Sequence, residues 1–179
     1  MAKKAISLND SFGNPHCVLA YVYFFLYRQY NKAVSEMEQA VALDPNDAEV
    51  RANVAFPFHF FGKKEEAITL AKQARRLNPF PHAWYFYALG QALCLAGHYE
   101  EAVEAYKKSL HLNPKFGYSV TGMAVAYCLS GREEQAMAEE ILLINPRFSV
   151  KAFEMAAPYK NRADNALLAD AYRKIGLPD

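Results

Sequence analysis

Apolar side chains return along this chain at helical spacing, not at the two-residue alternation of a strand. Between Phe86 and Leu93 the large residues Phe86, Leu89 and Leu93 fall three and four positions apart, and Tyr106 resumes the pattern beyond Gly97. The two stretches predict a pair of antiparallel helices with their apolar faces turned together. Gly97 is expected to end the first helix, because a left-handed terminal residue costs little only without a β-carbon. Pro114 is expected to close the second, since the residue before a proline is driven out of the helical region. The small residues Gly90 and Ala102 are expected to face each other where the helices cross most closely. Polar residues gather where second helices begin, as in Lys63-Lys64-Glu65-Glu66 and Arg132-Glu133-Glu134. Carboxylates in a first turn complement the helix dipole, so these clusters read as solvated helix starts and not as sites.

The same pattern recurs. The tetrapeptides Leu43-Asp44-Pro45-Asn46, Leu77-Asn78-Pro79-Phe80, Leu112-Asn113-Pro114-Lys115 and Ile144-Asn145-Pro146-Arg147 place prolines 34, 35 and 32 residues apart. The chain therefore divides into repeats at 14–47, 48–82, 83–116 and a shortened one at 117–148, preceded by 1–13 and followed by 149–179. In the fourth repeat the second helix, near Glu133 to Ile144, is expected to be shortened or re-registered. Ser149 to Ala157 and Asn161 to Ile175 predict a last helix pair broken by Pro158. Asp164 to Lys174 is amphipathic through Ala166, Leu167, Ala169, Ala171 and Ile175, so one apolar face would cap the last repeat. Leu8-Asn9-Asp10 lies 35 residues before Leu43-Asp44-Pro45, which reads as the tail of a truncated preceding repeat. The natural protein is accordingly expected to continue towards its N-terminus.

Large residue, Leu-Gly, aromatic, Ala and Pro fall at fixed offsets in Phe86, Leu89-Gly90, Leu93, Ala102, Tyr106 and Pro114. This signature resembles the tetratricopeptide repeat. The resemblance implies an all-α fold, a right-handed solenoid of antiparallel helix hairpins with a C-terminal capping pair. A narrower likeness rests on Arg76 to Tyr85, Asn145 to Ser149, Pro158-Tyr159-Lys160 and Tyr172 to Pro178, which resemble the C-terminal repeat region of bacterial class III adenylate/guanylate cyclase-like proteins. In that family a catalytic domain precedes the repeats, so the likeness implies a non-catalytic, partner-binding module here.

The tetratricopeptide resemblance further implies that positions 2, 5, 9 and 12 of each repeat line a concave groove. These positions include Val18, Val22 and Phe25; Ala52, Phe56 and His59; Trp84, Tyr87 and Gln91; and Tyr118, Thr121 and Val125. Val22, Phe25, Phe56, His59, Trp84, Tyr87, Gln91, Tyr118 and Val125 are the candidate peptide-binding residues. Such a surface is aromatic and nearly uncharged, suited to an amphipathic helix or an extended apolar peptide, although any one of these residues could instead pack between helices. A basic clamp for acidic peptide tails is not expected, because the matching positions hold Val18, Val22, Trp84 and Ala88 and only Asn53 fits.

Composition narrows the classes further. With 53% hydrophobic residues among 179, the chain can bury a substantial core. A net charge of +1 leaves no electrostatic footprint for nucleic acid, which disfavours the alternative of a helical-repeat RNA reader. The longest apolar run, Cys17 to Tyr27, is eleven residues against the roughly 20 of a spanning helix, so membrane insertion is not expected. Cys17, Cys94 and Cys128 stand singly in apolar runs and suit a reducing compartment, and no signal peptide is visible; a cytoplasmic location follows. His16, His59, His82, His98 and His111 show no metal-ligand spacing, and Ser119 lies in a repeat helix rather than a phosphate loop or nucleophile elbow. No catalytic residue, metal or cofactor is therefore expected. The expected partner is a protein or peptide, with self-association as a second use of the same groove.

Overall fold

The structure is a computed structural model that describes residues 2–8, 11–132 and 135–179. The described residues are helical throughout, with no strand: α1 (Ala2–Leu8), α2 (Gly13–Tyr21), α3 (Tyr30–Leu43), α4 (Ala48–Phe58), α5 (Lys64–Leu77), α6 (Ala83–Leu95), α7 (Tyr99–Leu112), α8 (Gly117–Leu129), α9 (Gln135–Ile144), α10 (Val150–Ala156) and α11 (Arg162–Lys174). Helices α2 and α3, α4 and α5, α6 and α7, and α8 and α9 pack as hairpins, and each hairpin rests on the next. The first helices α2, α4, α6 and α8 also touch one another in sequence, whereas the second helices have no comparable mutual packing. Closer spacing of the first helices puts them on the inside of the curved row, a solenoid of helix hairpins.

Local chemistry ends each element where the sequence indicates. Asp47 accepts a hydrogen bond from the Val50 amide at 2.9 Å and caps α4. Gly62, Gly97 and Gly131 take left-handed φ angles of 80°, 84° and 79° between the two helices of their hairpins. At the equivalent turn of the first hairpin the left-handed residue is Arg28, with φ 53°. The closing hydrogen bond there, from the Gln29 amide to the Tyr23 carbonyl, spans one residue more than its counterpart from His98 to Leu93. The cause is a π-helical turn over Val22–Leu26, which inserts the extra residue before the turn.

The hairpins are held in register by one aromatic ring. Tyr106 on α7 is 1% exposed. A β-carbon built on Gly90 of α6 would stand 2.6 Å from its Cε1, and one on Gly122 of α8 would stand 2.5 Å from its Cζ. The ring thus lies across two glycines of successive first helices. This corrects the expectation that Gly90 faces Ala102: Ala102 is buried, but the close approach at Gly90 is to Tyr106. Beside it, Ser119 donates from its hydroxyl to Ser109 Oγ at 2.8 Å, a buried bond between α7 and α8 that accounts for both side chains.

The described part of α9 has 10 residues against 14 in α3, α5 and α7. Glu133 and Glu134, named above as a charged helix start, lie outside the described residues. Ser149 and Asn161 cap α10 and α11 by accepting from the Ala152 and Ala163 amides at 3.1 and 3.0 Å. On α11 the buried face is Asp164, Leu168, Ala169, Ala171 and Tyr172, while Ala166 and Leu167 are exposed. The stripe expected from the sequence was therefore rotated, because the helix packs on two surfaces at once. Among the described residues no helix is long and apolar enough to cross a membrane.

Filling the space beside Tyr106 should overpack the row. Gly90→Leu and Gly122→Leu are each expected to cost on the order of 1 to 3 kcal/mol in a urea titration, and combining Gly122→Leu with Tyr106→Leu should cost less than the sum of the two. Glu104→Leu, on an exposed side chain paired only with Lys107, should stay within about 0.5 kcal/mol of the parent. Equal unfolding midpoints for these variants would refute the placement of the ring.

Candidate functional site: an aromatic trough closed by the C-terminal hairpin

The inner face of the row carries an aromatic cleft of about 520 Å³ lined by Tyr21, Asn53, Phe56, Phe60, Trp84, Tyr87, Phe116 and Tyr118. No charged side chain lines it. Tyr87 stands at its centre, with ring centroids 5.9 Å from Phe56, 5.4 Å from Phe116 and 5.9 Å from Tyr118. Gln91, one turn further along α6, donates to the Tyr87 hydroxyl at 2.9 Å and fixes the ring. Burial pushes the Tyr87 phenol up to about 12, so it remains a neutral donor at ordinary pH. On the opposite wall the Tyr21 hydroxyl donates to the Asn53 carbonyl at 3.0 Å, tying the first hairpin to the second. The arrangement offers stacking faces and a few hydrogen-bonding groups, the chemistry of recognition.

The structure brings together Phe56, Trp84, Tyr87 and Tyr118 of the predicted residues in this cleft, with Tyr118 69% exposed. Gln91 lines a larger hollow of about 830 Å³ that shares Phe60, Tyr87 and Tyr118 with the cleft, making one continuous trough. Val22 and Phe25 lie on the π-helical turn and line neither hollow; Phe25 stacks on Tyr21 at 5.7 Å. Val125 and His59 are 2% and 1% exposed and present no surface to a ligand. For His59 the reason is a 3-10 turn at His59–Phe61, which rotates the ring inward and turns Phe60 outward in its place. Position counting along an ideal helix missed Phe60 for that reason. It also missed Phe116, which comes from the linker after Pro114.

The far wall of the larger hollow is built by the C-terminal hairpin. Phe153, Ala157, Pro158, Tyr159, Leu168 and Tyr172 line it. The hairpin reaches back past its neighbour to the first two repeats. Lys160 donates its backbone N–H to the Phe60 carbonyl at 2.8 Å, and the Tyr159 ring lies 4.7 Å from Phe60. Lys64 forms an ion pair with Asp164 at 2.6 Å, and Arg28 donates to the Ala156 carbonyl at 2.9 Å. Lys64 is therefore not merely the solvated helix start that its sequence neighbourhood indicated. Tyr172 anchors the hairpin between Phe148 and Phe153, with centroids at 5.1 and 5.0 Å.

His59 sits beneath this contact. Its ring is 4.0 Å from Phe60, 5.4 Å from Phe56 and 6.2 Å from Tyr159, and among the described residues neither ring nitrogen has a hydrogen-bond partner. Desolvation lowers its pKa to about 3, weakly opposed by the nearby Phe56 backbone. The three cysteines are buried as well, and desolvation pushes the thiols of Cys17 and Cys94 up to about 12, far from a reactive thiolate.

Residues 15–47 and 83–116 match the sequence profile of the tetratricopeptide repeat. A small glutamine-rich tetratricopeptide repeat-containing protein 2 from Mycosarcoma maydis is 35% identical over 100 residues, 55% of this chain and 28% of that protein. A protein STIP1 homolog from Dictyostelium discoideum is 28% identical over 156 residues, 84% of this chain and 27% of that protein. The chain thus spans about a quarter of the length of these curated relatives. Among solved structures, PilW, described as a widely conserved type IV pilus biogenesis factor, superposes with a TM-score of 0.75 at 19% identity, covering 96% of this chain and 79% of that one. YrrB, described as a TPR protein with an unusual peptide-binding site, superposes with a TM-score of 0.64 at 17% identity, covering 98% and 90%. Two segments of the chain thus match the tetratricopeptide repeat, and its fold is that of the tetratricopeptide solenoids.

The buried imidazole makes stability depend on pH with a definite sign. The folded state holds His59 neutral down to about pH 3, whereas an unfolded histidine binds a proton near 6.5. The stabilisation is complete above pH 6.5 and falls as pH drops towards 3, at up to about 1.4 kcal/mol per pH unit from this residue. His59→Leu is expected to flatten that part of the stability profile between pH 6 and 4 in chemical denaturation. An unchanged slope would mean that the ring is not buried neutral.

Proposed function

We propose that this chain, a carrier of tetratricopeptide repeats, works as a protein–protein interaction scaffold that holds a partner segment in the trough lined by Phe56, Trp84, Tyr87 and Tyr118. The observation that carries the reading is the uncharged aromatic cleft, half open to solvent, on the inner face of the row. Large aromatic rings supply contact area at small conformational cost, and the ring of Tyr87 is already fixed by Gln91. The absence of charge from the cleft lining favours an apolar or aromatic segment over an acidic tail. YrrB, which has the same fold and is described as having an unusual peptide-binding site, supports this use of the surface. Three buried thiols suit a reducing compartment such as the cytoplasm. The resemblance to cyclase C-terminal regions has no counterpart among the relatives reported above, and no part of the reading rests on it.

Trp84 is the one tryptophan of the chain and lines the cleft, so its emission reports on the site directly. A panel of synthetic ten-residue peptides, graded in aromatic content and net charge, is expected to give saturable emission changes that strengthen with aromatic content. Tyr118→Ala, on an exposed side chain, should weaken binding by about tenfold, the order of one hot-spot residue, without lowering the melting temperature. Saturable binding that Tyr118→Ala leaves untouched, or that grows with acidic charge instead, would overturn the assignment of the cleft.

A further inference from the structure

One wall of the trough is a segment of the same chain seated on Phe60, and that segment indicates what the seat is built to take. Between α10 and α11 the backbone leaves the helix at Ala157 with φ −62° and ψ 129°, and Pro158 follows with its φ fixed by the ring. Tyr159 then places its ring against Phe60, and Lys160 donates its backbone N–H to the Phe60 carbonyl. A preformed extended proline, an aromatic ring in an aromatic seat and one main-chain hydrogen bond make up the mode by which aromatic grooves read proline-containing peptides. Phe60 also lines the open cleft, so the seat of the segment adjoins it. The clasp that holds the segment spans the molecule. Lys64 and Asp164 are separated by 100 residues and Arg28 and Ala156 by 128, whereas a repeat in a simple row touches only its neighbours.

We infer that the Ala157-Pro158-Tyr159-Lys160 segment is a built-in occupant of the seat at Phe60 beside the open cleft, and that the partner carries an extended Pro-aromatic segment which displaces it there. The inference rests on the trough being the binding surface. Arg28 fits the same account. Glycine fills the equivalent left-handed position in the next three hairpins, where it is the cheaper residue, and here an arginine is retained whose guanidinium reaches the C-terminal hairpin. While the segment is seated, an external peptide meets only the fraction of molecules in which it has lifted, and its apparent affinity falls by that fraction.

The test uses the full chain and a dye-labelled peptide with the sequence of residues 154–162, followed by fluorescence polarisation. Tyr159→Ala, which empties the seat at Phe60, is expected to bind this peptide at least tenfold more tightly than the parent chain. The same peptide with its tyrosine replaced by alanine should bind neither. Should Tyr159→Ala fail to fold, the double variant Lys64→Gln, Asp164→Asn loosens the clasp without emptying the seat, and it too should bind more tightly than the parent. Equal affinity for the parent and these variants, reduced by Trp84→Ala, would overturn the inference while leaving the open cleft as a binding surface. No binding by any folded variant would overturn it outright. A gain in the variants that Trp84→Ala does not alter would support the seat at Phe60 separately from the open cleft.

Discussion

The row depends on the ring of Tyr106 lying across Gly90 and Gly122. Each glycine belongs to a first helix, and the ring comes from the second helix between them, so a single side chain fixes the spacing of two successive hairpins. Such an interdigitation tolerates no added carbon on either glycine without movement of a rigid ring. Because the spacing of α6 and α8 is fixed in this way, Tyr87 and Tyr118 stand close enough to share one aromatic wall. Core packing thereby sets the width of the trough.

Irregular turns modify the regular repeat beside the trough. A π-helical turn at Val22–Leu26 and a 3-10 turn at His59–Phe61 end the first helices of the first two hairpins, and each changes which side chains face inward. The second departure buries His59 with no hydrogen-bond partner among the described residues and leaves Phe60 half-buried on the trough in its place. A buried unpartnered imidazole is unfavourable by itself, and sites of this kind persist where the surrounding geometry serves another purpose. Here that geometry is the seat for Tyr159.

The C-terminal hairpin changes the physical character of the solenoid. An open row of repeats is stabilised by neighbours alone, and its ends can loosen independently. Contacts from α10 and α11 to Phe60, Lys64 and Arg28 couple the last elements of the chain to the first, so opening the groove and releasing the C-terminus become one event. The Lys64 and Asp164 pair is partly buried, a setting in which losing one partner leaves the other poorly compensated.

Local sequence determined the elements and their order. The prolines returning at about 34 residues, Gly62, Gly97 and Gly131 in the turns, and the apolar spacing of Phe86, Leu89 and Leu93 act over a few residues each, and their positions could be read without the fold. Five of the predicted residues line the trough and were legible on the same basis, because helical spacing turns Phe56, Trp84, Tyr87, Gln91 and Tyr118 to the inner faces of their helices. What the tertiary structure decided lies where an irregular turn shifts the register or where contacts join distant residues. His59 turned inward and Phe60 outward at a 3-10 turn that periodicity does not reveal, and Lys64 found Asp164 a hundred residues away. A charge at a helix start looks solvated until the folded chain brings a partner to it, and only the three-dimensional packing of α11 against two surfaces did so.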